Sequence, residues 1–322
     1  MTILFSNSIP DIQKAAQIIT QGGVVAFGTE TVYGLGADAT NTTAVLKIYQ
    51  AKGRPNFNPL IVHFADIDHV FQFVKKTELA YELAIKFWPG PLTLVLPQHQ
   101  PCPISPVATA NLPTMAVRIP NTFVAQRLIH YSKKPIAAPS ANPSGKISPS
   151  TAQHVIEGLD KKIDAIIDSG PCHVGVESTI LDLSQPIPTL LRPGGIPVEA
   201  LTPICGPITI DTPIETKIIA PGQLSSHYAP SLPVRLNCQH LLPNEALLAF
   251  GPPISHHGLY CNLSVSGNLE EAAQNLFACL RFLDSEGQRI GVKGIAVMPI
   301  PQIGLGLAIC DRLQRAAAPR SI

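Results

Sequence analysis

Brief runs of branched apolar residues alternate with amphipathic segments along most of this chain, and that alternation confines it to the α/β class. Apolar stretches at 24–27, 60–64, 92–96, 116–119, 135–138, 163–167, 178–183 and 188–192 read as strands. Between them, spacing of three and four residues predicts helices over 41–52, 66–74, 77–87, 122–131 and 150–158. An earlier helix opens at Ser8 in capping-box style, carries Ile12, Ala15, Ala16 and Ile19 on one face, and stops at Gly22 and Gly23. Strands and helices taken in turn fold as a mixed, twisted sheet with helices on its faces.

At 322 residues the chain is too long for one ordinary core, so two domains are expected. The pattern weakens from about 203 to 232, a stretch rich in Pro, Ser and Gly, and then restarts. This predicts a first domain over 1–203, a linker over 204–232 and a smaller α/β domain over 233–322. In the last, strands are expected at 233–236, 246–250, 258–264 and 294–298. A helix over 268–286 carries Leu269, Ala272, Ala273, Leu276, Leu280 and Leu283 on one stripe, and a last helix follows Gly304 and Gly306.

Composition excludes several classes. With 23 Lys and Arg against 22 acidic residues, no overall field attracts nucleic acid or acidic lipid. No apolar stretch approaches the roughly 18 residues needed to cross a bilayer, and the first residues lack a secretory pattern, so a cytoplasmic protein is expected. Seven cysteines without a CxxC pair read as free thiols of a reducing compartment, mostly buried small hydrophobes.

No P-loop, HExxH or GxSxG is present. Residues 34–39 loosely fit a dinucleotide fingerprint, but the preceding strand lies too far upstream for the tight turn it needs. What remains is a set of polar groups at the ends of apolar strands: residues 28–36, the pair Lys52 and Arg54, Asn58 to His63, Thr114 to Arg118, residues 139–145 with Ser148, residues 175–179, and Arg192 before a Pro-Gly turn. Each has a structural alternative. The hydroxyls could simply stabilise turns, Lys52 and Arg54 could complement a helix C-terminus, and Arg118 could sit in an internal ion pair rather than on a bound anion. Taken together, several cations, a histidine and many hydroxyls, with no nucleophile or metal cage, suit phosphate positioning and charge stabilisation rather than covalent catalysis.

At these residues the chain resembles the YrdC-like threonylcarbamoyl-AMP synthases, in their long two-domain form. The matching motifs are TETVYGLGADA (29–39), KGRP (52–55), NPLIVH (58–63), WPGPLTLVL (88–96), AVRIP (116–120), APSAN (138–142), VESTI (176–180), LLRPGG (190–195) and HYAP (227–230). The resemblance implies a twisted mixed sheet around a central cavity, a Rossmann-like C-terminal domain, and a linker that closes over the cavity. It also implies a reaction of L-threonine, bicarbonate and ATP to threonylcarbamoyl-AMP and pyrophosphate. Mg²⁺ would ride on the ATP phosphates, with no protein-only metal site. The product would pass to separate threonylcarbamoyl-transferase proteins acting on tRNA, and direct tRNA contact stays open. Carried over by position, Thr31, His63, Arg118, Ala138 and Ser178 should surround threonine. Arg54, Asn58, Thr114, Ser140, Ser148, Arg192 and Tyr228 should contact ATP. Lys52, Arg54, Ser140 and Asn142 belong to the Lys-x-Arg and Ser-x-Asn signatures that support catalysis. Gly28 departs from the usual Pro, which should loosen the first loop, and the segment before HYAP lacks the usual basic residues. A non-catalytic RNA binder of the same fold and carbamoyl transfer in hydrogenase maturation are the competing readings. The first lacks a basic stripe, and the second lacks its Cys-rich motifs.

Overall fold

The computed structural model describes residues 1–210, 220–221 and 227–319. Much of the expected linker, at 211–219 and 222–226, therefore lies outside the described residues.

The first elements are β1 Ile3–Phe5, α1 Ile9–Thr20, β2 Val25–Gly28, β3 Tyr33–Asp38, α2 Thr42–Lys52, β4 Ile61–His63, α3 Ile67–Val70 and α4 Glu78–Phe87. There follow β5 Leu92–Pro97, β6 Thr114–Arg118, α5 Phe123–Ser132, β7 Ile136–Ala137, α6 Ala152–Leu159, β8 Ala165–Ile167, β9 Thr179–Asp182, β10 Thr189–Arg192, α7 Val198–Cys205 and β11 Thr209–Ile210. The chain continues with β12 Val234–Arg235, β13 Glu245–Ala249, β14 Tyr260–Asn262, α8 Leu269–Ile290, β15 Gly294–Val297 and α9 Leu305–Ala317.

Strands β1 to β11 form one mixed sheet in the order β1-β8-β2-β3-β7-β4-β6-β5-β9-β10-β11. Alternate residues of β2 face opposite sides, as a strand's period of two requires. Val25 and Phe27 pack with α1 and α5, whereas Val24 and Ala26 join the larger core that includes α2 and α4. The Ser8 cap acts as expected, accepting from the Asp11 amide; in α2, Asn41 accepts from the Ala44 amide and Gly53 closes the helix in the left-handed conformation.

Three strands escaped the sequence reading, among them β11, a two-residue partner of β10 that lies inside the expected linker. Strand β1 is a three-residue edge with Ile3 and Leu4 exposed, so no buried run announces it. Strand β3 lies within residues 28–36, expected as polar groups beyond a strand's end, but it pairs antiparallel with β2 from Val25↔Gly36 to Gly28↔Tyr33. Glycine serves packing there: a Cβ on Gly36 would lie 2.7 Å from both the Phe27 ring and Ile136. The loosening expected from Gly28 is not found. A Cβ at that position would meet Ser169 Oγ at 1.9 Å, so the serine fills the space that a larger residue would need.

The second sheet, β12-β15-β13-β14, is all parallel, and the α8 stripe packs on it with Ala272, Ala273, Leu276, Leu280 and Leu283 buried. The free-thiol reading is corrected for two residues. Cys261 on β14 and Cys279 on α8 form a disulfide, with Cα atoms 5.7 Å apart. Strand-to-helix packing brings them together from 18 positions apart, a tertiary contact that cysteine spacing does not reveal. Val32, Ile147 and Val176 of the first unit belong to the same apolar cluster as α8 and α9. Gly175, at φ +75°, lets its loop touch α8, where a Cβ would stand 2.4 Å from Ala273 O. Among the described residues, no helix is long and apolar enough to cross a membrane.

Candidate active site

Strands β4 and β6 run parallel with His63 opposite Arg118, so two polar side chains emerge together where both strands end. The β2–β3 turn brings Thr29 and Thr31 beside them, β10 ends at Arg192 next to Ser178, and Arg54 follows the end of α2. These groups line a cavity together with Ala138, Pro139, Ser140, Glu177, Pro221, His227 and Tyr228. Thr31, Arg54, His63, Arg118, Ala138, Ser140, Ser178, Arg192 and Tyr228, all expected at the site, are thus gathered on one surface.

The cations divide into two kinds. Arg118 Nη2 donates to Glu30 Oε1 at 2.6 Å, Nη1 to Thr31 Oγ1 and Nε to Gly90 O. The internal ion pair left open by the sequence therefore exists, and two of the five N–H groups of the fork remain for a ligand. Glu30 is held in turn by the Asn121 amide, which donates to its Oε2 at 2.9 Å. Arg54 and Arg192 behave differently. Among the described residues Arg54 donates to the carbonyls of Asn58 and Pro59, and Arg192 to Ser178 and to Pro221 O. Neither makes an ion pair among the described residues. Burial, offset in part by Tyr49 and Tyr228, lowers the Arg54 guanidinium to about 10, and it stays a cation at neutral pH.

Both histidines are neutral. Burial and then the Arg118 charge depress His63 to about 3. Burial also brings His227 to about 3, despite the opposing charge of Glu177. Among the described residues, two buried polar atoms of the lining, His63 Nδ1 and His227 Nδ1, have no partner, and outside the lining Asn58 Oδ1 and Asn142 Oδ1 have none either. Such atoms are costly in an apolar setting, and polar ligand groups would satisfy them.

Lys52, Asn58, Thr114, Asn142 and Ser148 do not line the cavity. Lys52 lies behind it, with Nζ donating to the backbone carbonyls of Ser140 and Asn142, both at 2.5 Å. Burial and then the Arg54 charge push its ammonium well below the usual lysine range. Asn142 Nδ2 donates to Pro143 O and Lys146 O, closing the same loop. Ser148 Oγ donates to Glu177 Oε1 at 2.6 Å. Thr114 starts β6, at the end opposite Arg118.

Sequence reasoning missed Glu30, Glu177 and His227 as site residues, although each lies inside a motif that it quoted. It also missed Arg312 of α9, whose Nε donates to Glu177 Oε2 at 2.8 Å. Around Tyr228, at φ 61°, the Ala229 amide donates to Gly145 O and the His227 amide to Arg315 O. The HYAP segment is thereby held between the serine-rich loop and α9.

Known proteins match nearly the whole chain. The profile of the Sua5–YciO–YrdC family, described as "Telomere recombination", matches residues 17–194. That of the "Threonylcarbamoyl-AMP synthase, C-terminal domain" matches residues 196–318. A threonylcarbamoyl-AMP synthase of Bacillus subtilis is 44% identical over 98% of this chain and 96% of its own. One of Pyrococcus abyssi is 43% identical over 97% and 95%. The crystal structure of P. abyssi Sua5 complexed with L-threonine superposes with a TM-score of 0.89, at 40% identity, over 98% of this chain and 97% of that one.

Proposed function

The chain belongs to the threonylcarbamoyl-AMP synthase family, and from that premise we propose that its cavity joins L-threonine, bicarbonate and ATP into threonylcarbamoyl-AMP with release of pyrophosphate. The carrying observation is the pairing pattern of the buried guanidinium groups. Among the described residues Arg54 and Arg192 face the cavity without a carboxylate partner, whereas Arg118 is already neutralised by Glu30. A polyphosphate carries several negative charges and is best met by the two uncompensated forks. An amino acid carries one carboxylate and one amine, so the Arg118–Glu30 end, with its remaining N–H groups and nearby hydroxyls, suits it.

On this reading Thr31, His63, Arg118, Ala138 and Ser178 surround threonine. Arg54, Ser140, Arg192 and Tyr228 serve ATP from the cavity walls, whereas Asn58, Thr114 and Ser148, expected beside them, lie outside the lining. Lys52 and Asn142 hold the loop that presents Ser140. The threonine amine, as its carbamate, attacks the α-phosphorus; a P–O bond forms there and the bond to pyrophosphate breaks. The protein orients the two reactants, spreads the developing negative charge over the guanidinium groups, and keeps water from the labile adenylate. Neutral His63 and His227 supply hydrogen bonds without adding charge.

A divalent metal fits as a passenger on the triphosphate. Among the described residues no cluster of three His, Cys, Asp or Glu side chains could hold one, and Glu30 and Glu177 are both engaged by arginine. Among the described residues, Asn58 Oδ1 and Asn142 Oδ1 are buried hard oxygens without a partner. Mg²⁺ on the phosphates would neutralise charge on the leaving group. The product then serves tRNA threonylcarbamoylation by separate transfer proteins, in the cytoplasm where ATP and tRNA are found. The RNA-binding alternative gains no support, because Arg54, Arg118 and Arg192 are buried rather than spread along a groove.

The test is to incubate the pure protein with labelled threonine, bicarbonate and Mg·ATP. Pyrophosphate release that requires all three substrates, with label appearing in a nucleotide adduct, is expected. RNA binding without pyrophosphate release would sink the proposal.

A further inference from the structure

An arginine within a helix stripe that also carries Ile309, Leu313 and Ala316 should turn outward, yet Arg312 of α9 is fully buried on that stripe. Burying a guanidinium is costly unless its N–H groups are matched, so its partners reveal its task. Nε donates to Glu177 Oε2 at 2.8 Å, and Nη1 donates to Pro193 O and to Asp311 Oδ2. The guanidinium lies over the Tyr228 ring, 5.3 Å from its centroid, and the same ring stacks on Phe277 of α8 at 5.6 Å. One side chain of the second unit therefore touches the segments that carry Glu177, Arg192 and Tyr228.

The chemistry turns on Glu177, the carboxylate that lines the cavity among the described residues. Both of its oxygens are occupied, Oε1 by Ser148 and Oε2 by Arg312. Burial alone would raise its pKa, but the charges of Arg312 and then Arg192 hold it down at about 2. Arg192 is near enough to feel that charge, yet it makes no ion pair among the described residues. With Arg312 removed, Oε2 of Glu177 loses its cation, and the Arg192 fork, already bonded to the adjacent Ser178, would be spent on the freed carboxylate.

We infer that Arg312 is a positioning residue for this reaction: by pairing with Glu177 from behind the cavity it keeps that carboxylate off Arg192, leaving the Arg192 fork free for the nucleotide's phosphates. The second unit is thereby part of the site. This rests on the assignment of ATP to the Arg54–Arg192 end.

The experiment compares the full-length wild type with Arg312→Met and with the double variant Arg312→Met, Glu177→Gln. ATP affinity is measured by calorimetry and substrate requirements by pyrophosphate release. Arg312→Met should weaken ATP binding by roughly tenfold or more, as expected for a carboxylate left unpaired. Its threonine requirement should change by less than about twofold, because Arg118 and Glu30 keep each other. The double variant should recover most of the ATP affinity, since no carboxylate then competes for Arg192. A purely structural role would lower the melting temperature without this rescue. Unchanged ATP affinity in Arg312→Met, or a double variant as weak as the single one, overturns the inference. If the single variant does not fold, the double variant decides: ATP affinity within about threefold of wild type supports the inference, and a larger loss refutes it. Should the wild type bind ATP but release no pyrophosphate, the assigned reaction fails while the affinities still test the pairing.

Discussion

Gly194→Ala probes how closely the two halves of the site are fitted together. Gly194 follows Arg192 and Pro193 in a turn docked on the 177–179 segment, where the Gly195 amide donates to Glu177 O and Thr179 Oγ1 donates to Ile196 O. A Cβ on Gly194 would stand 2.3 Å from Thr179 N, 2.4 Å from Glu177 O and 2.4 Å from Ser178 C. All three are backbone atoms, so no rotamer change relieves the overlap. The turn must instead move away by about 1 Å to reach ordinary van der Waals contact. Overpacking of this kind costs about 3 kcal/mol, which lowers the melting temperature by roughly 5–10 °C. The same shift parts Arg192 from Ser178, and a misplacement of about 1 Å at a reacting centre costs on the order of 100-fold in rate. Thermal unfolding and pyrophosphate release report the two effects separately. Gly251→Ala is the control: at φ +72° with nothing within 4 Å of a Cβ, it should cost about 1 kcal/mol of backbone strain and leave turnover per folded molecule intact. A Gly194→Ala protein with wild-type melting and turnover would refute the view that backbone contact sets the site's geometry.

Other perturbations separate the remaining roles. Arg118→Ala should raise the threonine requirement by roughly 30-fold or more, about 2 kcal/mol, and the ATP requirement far less; equal weakening of both substrates contradicts the division of the cavity. Lys52→Met should cost about 2–4 kcal/mol by orphaning two buried carbonyls, and should lower turnover through the Ser140 loop; urea unfolding beside kinetics checks both, and unchanged turnover would leave the lysine a purely structural pin. His63 and His227 have folded pKa values of about 3 against about 6.5 when unfolded, so the unfolded chain binds more protons between those values. Their contribution to stability is intact above about pH 6.5 and falls as the pH drops towards 3, by about 2 kcal/mol per histidine between pH 6.5 and 5. Urea titrations at pH 7.5 and 5 should show the loss, with His227→Gln removing about half of it; a difference unaltered in the variant would argue against a buried neutral imidazole.

Much of the framework was legible before any coordinates, because its rules are local. The Ser8 cap, the apolar face of α1, the stripe on α8 and the apolar run of β2 each depend on residues a few positions apart. Strand β3 escaped because Gly34 and Gly36 carry no pattern of their own; their smallness answers Phe27 and Ile136, which the chain brings there only on folding. The motifs likewise marked where polar groups leave strands, and the cavity gathers nine of the residues expected at it. What they did not contain was the pairing of charge. Arg118 finds Glu30 across 88 positions, Arg312 finds Glu177 across 135, and Lys52 turns to backbone carbonyls behind the cavity. The sequence alone determined which groups are present and on which elements they ride. Tertiary structure decided which cations are neutralised and which stay free, because a buried charge is settled by whatever long-range packing sets within hydrogen-bond reach, and near neighbours in the chain carry no record of that.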